Sequence, residues 1–301
     1  MNSSTLHTMS SRRRIAIASL IVLMIVWGST FVMTKAAALE IPPVTLATLR
    51  FLIASLVLLP VAIARGGMSR LPRPLPWGAL TLMALTGIAG FALTFTFALV
   101  YGSASQGALI YAALPAAIAL AAVAFLKEKP PRRRTAGIAL SIIGVALLII
   151  TGESDLASPH PVLGALWMLG AVICWTAYTV IAKRLAHADY VATITLISTI
   201  GTLMLLPGAA FELLHQPWSN PSLSAWLSAL FLGTVASALA YLVYGYVLRE
   251  LDASLVGVYT NLDPIVGVLI AVLFFGETLS VGQIAGGLIA LVGMWLASAD
   301  D

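Results

Sequence analysis

Two ionisable residues, Arg50 and Asp263, lie inside long apolar runs of a 301-residue chain. A charge at the centre of a membrane helix costs about 2.5–3.5 kcal/mol on insertion scales, so each needs a physical reason to be there. Arg50 could snorkel to the nearer surface, or face a cavity and hold a carboxylate through two parallel N–H donors. Asp263 stands in the phrase Tyr259-Thr260-Asn261-Leu262-Asp263-Pro264. Pro264 lacks a backbone donor and disfavours helix at the residue before it. Asp263 could therefore cap a half-helix that starts at Pro264. It could equally pair with Arg50, bind an ammonium group with help from Asn261, or carry a proton. Seven rings also lie within runs rather than at their ends: Trp27, Tyr111, Trp175, Tyr178, Tyr241, Tyr244 and Tyr259. Such rings can shape a cavity for a neutral or aromatic group, hold a cation, or simply pack. Ser29, Thr30 and Thr34 can bond between helices or line a path.

Other chemistry has little to rest on. His7, His160, His187 and His215 are scattered over termini and loops, and Cys174 is the sole cysteine. No HExxH, GxSxG, Walker or dinucleotide fingerprint occurs. We expect no catalytic residues, no metal ligands and no cofactor.

The elements that must position these residues follow from composition. Hydrophobic residues make up 60% of the chain and charged residues 9%, against roughly 25% charged in soluble domains. The mean hydropathy is +1.01. A soluble enzyme, a disordered chain and a basic nucleic-acid binder are excluded. About 20 apolar residues span a bilayer core. Ten such runs can be read: 15–34, 44–64, 77–99, 104–126, 135–151, 162–182, 190–211, 224–248, 254–275 and 281–297. They are too long for barrel strands and lack period-two alternation. The first also exceeds the length of a signal-peptide core. Fourteen of the 16 basic residues fall in alternate loops on one side, with Lys35 alone near a span end on the other. Basic loops stay inside, so both termini are expected in the cytoplasm. The same charge meets anionic lipid and leaves no reason to expect nucleic acid as a partner.

The chain repeats itself. At an offset of 149 residues Pro115 meets Pro264, Glu128 meets Glu277, Gly137 meets Gly286 and Gly144 meets Gly293. At 148, Trp27 meets Trp175. Each copy holds five runs, an odd number, so the second copy enters the membrane inverted. Inverted repeats with a site near the midplane characterise many secondary transporters. The expected organisation is a tail at 1–14, a first repeat at 15–151, a connecting loop at 152–161, a second repeat at 162–297 and a tail at 298–301. Gly137 and Gly144, like Gly286 and Gly293, are seven residues apart and line one helix face. They mark the fifth and tenth runs as packing helices. Pro115 and Pro264 mark matched hinges. Glu128 and Glu277 close their runs, either as gate or coupling carboxylates or as local structure at a helix boundary. Ser280 and Gln283 have capping-box spacing.

Trp27-Gly28-Ser29-Thr30-Phe31, Arg50-Phe51 and the doubled Pro, Glu and Gly pattern resemble the drug/metabolite transporter superfamily, in its ten-helix EamA-like branch. The resemblance covers nearly the whole chain. It implies an all-α inner-membrane exporter of small metabolites, most like those for aromatic and neutral amino acids. Multidrug or cation efflux and uncoupled facilitation are the alternatives. The implied partners are a small-molecule substrate, membrane lipid and protons as a candidate coupling ion, with a monomer sufficient. The candidate binding residues are Trp27, Thr30, Arg50, Tyr111, Trp175, Tyr178, Tyr259, Asn261 and Asp263.

Overall fold

The computed structural model describes residues 11–71, 74–126, 132–151, 158–184, 189–216, 220–251, 256 and 259–298. Glu128, most of the connecting loop and the outer parts of both tails lie outside the described residues. Among the described residues every regular element is helical. We label them α1 (Ser11–Ala38), α2 (Pro43–Ala64), α3 (Trp77–Tyr101), α4 (Ala104–Tyr111 with Leu114–Leu126), α5 (Arg132–Ile150), α6 (Pro161–Arg184), α7 (Tyr190–His215), α8 (Leu223–Glu250), α9 (Leu262–Phe275) and α10 (Val281–Ser298). The first eight contain stretches long and apolar enough to cross a membrane, while Leu262–Phe275 and Val281–Leu296 are shorter apolar helices.

Local irregularities recur at the repeat offset. A π-helical turn interrupts α3 at Leu85–Gly90 and α8 at Thr234–Leu239. The fourth helix of each repeat is disturbed just before its proline, at Ala112-Ala113 before Pro115 and at Asn261 before Pro264. A proline within the first helical turn is tolerated because its missing donor has no partner there anyway. The matched hinge residues therefore sit where new helix begins.

The two repeats interleave. α1 packs on α9, α4 on α6, α2 on α7, and α5 on α10, each pair joining one repeat to the other. Small residues make this possible in lipid, where close backbone packing replaces the hydrophobic drive. A Cβ on Gly28 would lie 2.7 Å from Val266 Cβ and 2.8 Å from Asp263 O, so α9 packs its Val266 side chain and its backbone onto the bare face of α1. The doubled glycines come together in one contact. A Cβ on Gly144 would lie 2.7 Å from Gly286 O, and one on Gly293 2.8 Å from Gly137 O. The four glycines thus hold α5 and α10 backbone to backbone.

A side chain there must part the two helices. We expect Gly293→Val to cost about 2 kcal/mol through overpacking, read as a lowered thermal midpoint of the detergent-solubilised protein. Gly78→Val, at a position with no atom within 4 Å of a new Cβ, serves as the control and should leave the midpoint in place.

Candidate functional site

The π-helical turn of α8 organises the centre of the bundle. Such a turn disrupts the regular ladder of backbone bonds and is frequent at functional sites. The carbonyl of Ala236, inside it, accepts a hydrogen bond from Trp27 Nε1 at 3.2 Å. The next residue, Ser237, accepts one at 2.9 Å from Arg50 Nε. One turn of the second repeat therefore holds two side chains of the first. Arg50 is buried, with its guanidinium carbon 5.3 Å from the Phe51 ring centroid. It turns inward to Ser237 rather than snorkelling to a surface.

Asp263 is also buried, and its Oδ1 has no hydrogen-bond partner among the described residues. It does not cap a half-helix. α9 begins at Leu262, two residues earlier than a cap at Asp263 requires, and Asn261 takes the N-cap position without a side-chain cap bond. Nor does Asp263 form an ion pair with Arg50. The two charges come from different repeats, Arg50 from α2 and Asp263 from α9.

Aromatic rings close around this point. Trp27 lies 5.4 Å from Tyr244 and 6.5 Å from Trp175 by ring centroids. Trp175 continues to Tyr178 at 5.1 Å and to Phe91 at 5.0 Å. Phe91 lies 6.3 Å from Tyr111, which meets Phe31 at 5.7 Å. Of the residues singled out from sequence, Trp27, Arg50, Tyr111, Trp175, Tyr178 and Asp263 fall in this region. Asn261 is buried close by. Thr30 Oγ1 donates to Trp27 O at 2.6 Å, so its proton is spent within α1. Tyr259 packs against the cluster of Leu20, Met24 and Val247, which Trp27 and Tyr244 also border. Ser237, Phe91 and Phe31 were not picked out from sequence. Ser237 is one small residue in a run of small residues, and an inserted residue leaves no trace in an all-apolar pattern.

The sequence profile of the EamA-like transporter family matches residues 14–150 and 162–299. The chain belongs to the EamA-like transporter family. A Salmonella typhimurium relative named "Probable amino-acid metabolite efflux pump" is 30% identical over 294 residues, covering 92% of each chain. An Escherichia coli K12 relative named "Uncharacterized inner membrane transporter YedA" is 29% identical over 267 residues, covering 87% of this chain and 83% of its own. A solved structure that is 20% identical superposes with a TM-score of 0.65 over 95% of this chain and 97% of its own, and shares the fold. This EamA-like chain is thus a transporter, multi-pass in a bacterial inner membrane.

One end of this EamA-like bundle is tied across the repeats by carboxylates. Gly276 ends α9 in the left-handed conformation, at φ +64°, which suits a residue without Cβ. The chain then turns, and Glu277 accepts from the backbone N–H of Ala104 at 2.9 Å and Ser105 at 2.8 Å. These are orphan donors at the start of α4, where a negative charge is favoured. The Glu277 carboxylate thus serves the other repeat, while its backbone N–H donates to Ala271 O at 3.3 Å and closes its own helix. Glu212, near the end of α7, accepts from Val44 N at 3.2 Å, Thr45 N at 2.7 Å and Thr45 Oγ1 at 2.8 Å at the start of α2. Glu40, just after α1, accepts from Ser222 N and Oγ ahead of α8. At the same end Lys35 Nζ donates to Leu99 O and Gly102 O where α3 ends. That binding accounts for a cation on the acidic side. The Ser280–Gln283 capping box is formed, with bonds of 2.9 and 3.3 Å.

The three ties differ in exposure, and so in expected cost. Glu277 is buried, and its loss strands two backbone donors, so Glu277→Ala should destabilise by about 2–3 kcal/mol in thermal or denaturant unfolding. Glu40 is solvent-exposed, and the Ser222 bonds hold its carboxyl below the ordinary carboxylate range. A lowered value means the tie contributes fully above that range and is lost as pH falls through the lowered value. Amide exchange at Ser222, corrected for its intrinsic rate, should lose protection on that acid side only. In Glu40→Gln the protection should be weaker at neutral pH and flat across the range.

Proposed function

We propose that this chain exports small zwitterionic metabolites, chiefly neutral or aromatic amino acids, by alternating access between its inverted repeats. The observation that carries the reading is the pair of buried opposite charges, Arg50 and Asp263, that do not neutralise each other. Buried charges are costly without partners. Two that are buried without pairing are suited to a third party carrying both signs. An α-carboxylate would take the free edge of the Arg50 guanidinium, which Ser237 orients through Nε. An α-ammonium would take Asp263, with Asn261 beside it. The rings of Trp27, Trp175, Tyr178, Tyr111 and Phe91 would receive the side chain. Thr30 and Tyr259 would act at the margin, Thr30 by fixing the Trp27 turn of α1 and Tyr259 from the basic side. The name borne by the Salmonella typhimurium relative supports the substrate class.

The charge sorting supports ten crossings with both termini in the cytoplasm, the acidic end facing out. Glu40, Glu212 and Glu277 then form the outer gate, since each joins the two repeats where they must part to release substrate outward. Their bonds reach helix N-termini, so solvent can replace them when the gate opens. Pro115 and Pro264 give matched flex points in the fourth helix of each repeat. Asp263 can take up a proton as the ammonium leaves, which would couple export to an inward proton gradient. A monomer contains both halves of the site.

Transport of labelled amino acids into proteoliposomes, beside one aromatic dication and with or without a pH gradient, tests the reading. We expect saturable amino-acid transport accelerated by the gradient. Arg50→Gln should raise KM at least tenfold, and Asp263→Asn should abolish both transport and gradient dependence. Dication transport alone would replace the reading with cation efflux, and gradient-independent amino-acid transport would make the protein a facilitator. Wild-type rates in both variants would remove the two charges from the mechanism.

A further inference from the structure

We infer that a groove between α1 and α8 binds one acyl chain of an anionic phospholipid, and that this chain braces the π-helical turn at the central site. The groove is a cleft of about 390 Å³, within the size range of small-molecule sites. Its walls are Ile15, Val22 and Val26 from α1 and Val235, Leu239 and Val243 from α8. Apart from Ser19, the side chains lining it carry no polar group. A zwitterion has nothing to bond to there, but a hydrocarbon chain does.

Length and charge name the occupant. From Ile15 to Val26 the groove runs about 16 Å at 1.5 Å per residue, close to half of the roughly 30 Å hydrocarbon core. That is the reach of one leaflet. Ile15, Val22 and Leu239 are strongly exposed, so the groove opens sideways toward lipid rather than into the bundle. At its mouth the three residues before Ile15 are Arg12, Arg13 and Arg14, all exposed. Guanidinium groups bind phosphate through two donors at once, and a cluster of three positive charges attracts an anionic headgroup more strongly than a net-neutral one.

The deep end of the groove touches the site. Val235 and Leu239 belong to the turn whose Ala236 and Ser237 hold Trp27 and Arg50. Val26 directly precedes Trp27. A chain lying against these residues fills the outer side of the turn and resists its return to regular helix, which would withdraw both acceptors. The lipid site stands independently of the transport reading, whereas its effect on transport rests on that reading.

Native mass spectrometry of the full-length protein, released from vesicles of phosphatidylcholine with increasing phosphatidylglycerol, tests the site. We expect one phosphatidylglycerol to be retained at least tenfold over phosphatidylcholine. Val22→Trp and, separately, Ala18→Trp should fill the groove and abolish that preference. Both positions are exposed to lipid, so the fold should tolerate them. Arg12→Gln with Arg13→Gln, leaving Arg14 to hold the orientation, should lower retention at least tenfold. Equal retention of the two lipids, or retention unchanged in all these variants, overturns the site. In proteoliposomes, wild-type transport should rise saturably with phosphatidylglycerol and Val22→Trp should not respond. Retention of the lipid with wild-type transport insensitive to it overturns the bracing but leaves the site. Retention without transport of any substrate in the panel defeats the transport reading alone.

Discussion

A backbone carbonyl released from its helical ladder inside a bilayer finds no water to accept from, and leaving it unpaired costs several kcal/mol. Within the π-helical turn of α8, the Ala236 carbonyl accepts from the Trp27 indole. Much of the centre follows from that bond. Because Trp27 must reach α8, α1 must run close to it, and the absence of a side chain at Gly28 lets the same helix also lie against α9. Because the turn displaces the next residue, Ser237 comes within bonding distance of Arg50 on α2. Three helices of one bundle are thereby fixed around a point that a regular α8 would have left closed.

The same constraint governs the acidic end. Helix N-termini present donors without partners, and here the partners come from the other repeat in three places, at Glu40, Glu212 and Glu277. Each bond is charge-assisted and therefore stronger than a neutral one. Yet each sits where water could take over if the ends separated. The α5–α10 contact is of the opposite kind. Its glycines bring the two backbones together without interposed side chains, Gly144 against Gly286 O and Ala290 N, and Gly293 against Gly137 O and Ser141 N. The two seams are therefore built differently, one from charge-assisted bonds and one from close packing.

How much of this was legible in the sequence differs by residue. Gly137, Gly144, Gly286 and Gly293 could be assigned to packing because their seven-residue spacing fixes a face, whatever that face meets. The helical class and the repeat were legible because composition and offset are properties of the whole chain. Glu277 was harder. Its neighbours suggested a local boundary role, while its partner, Ala104, lies far away in the chain, and only the interleaving of the repeats brings them together. Asp263 misled through Pro264. Proline in the first turn is compatible with a start at Leu262 as well as with a cap at Asp263, and sequence does not distinguish them. Arg50 could be read either way because an all-apolar helix has no polar face to set its direction.

The site also shows where a duplicated fold must stop being symmetric. The π-helical turns, the helix breaks and the prolines recur at the 149-residue offset, so the local irregularities are shared by both halves. The charges are not. Asp263 stands opposite Leu114 at that offset, and Arg50 has no ionisable counterpart. A symmetric hinge lets two similar gates alternate, because each half can adopt the other's shape at little difference in energy. A symmetric set of charges would instead place like charges at one midplane point, where their repulsion is least screened. One cation from the first repeat and one anion from the second avoid that repulsion. They also give the centre a direction, which a substrate carrying both signs can satisfy in one orientation only.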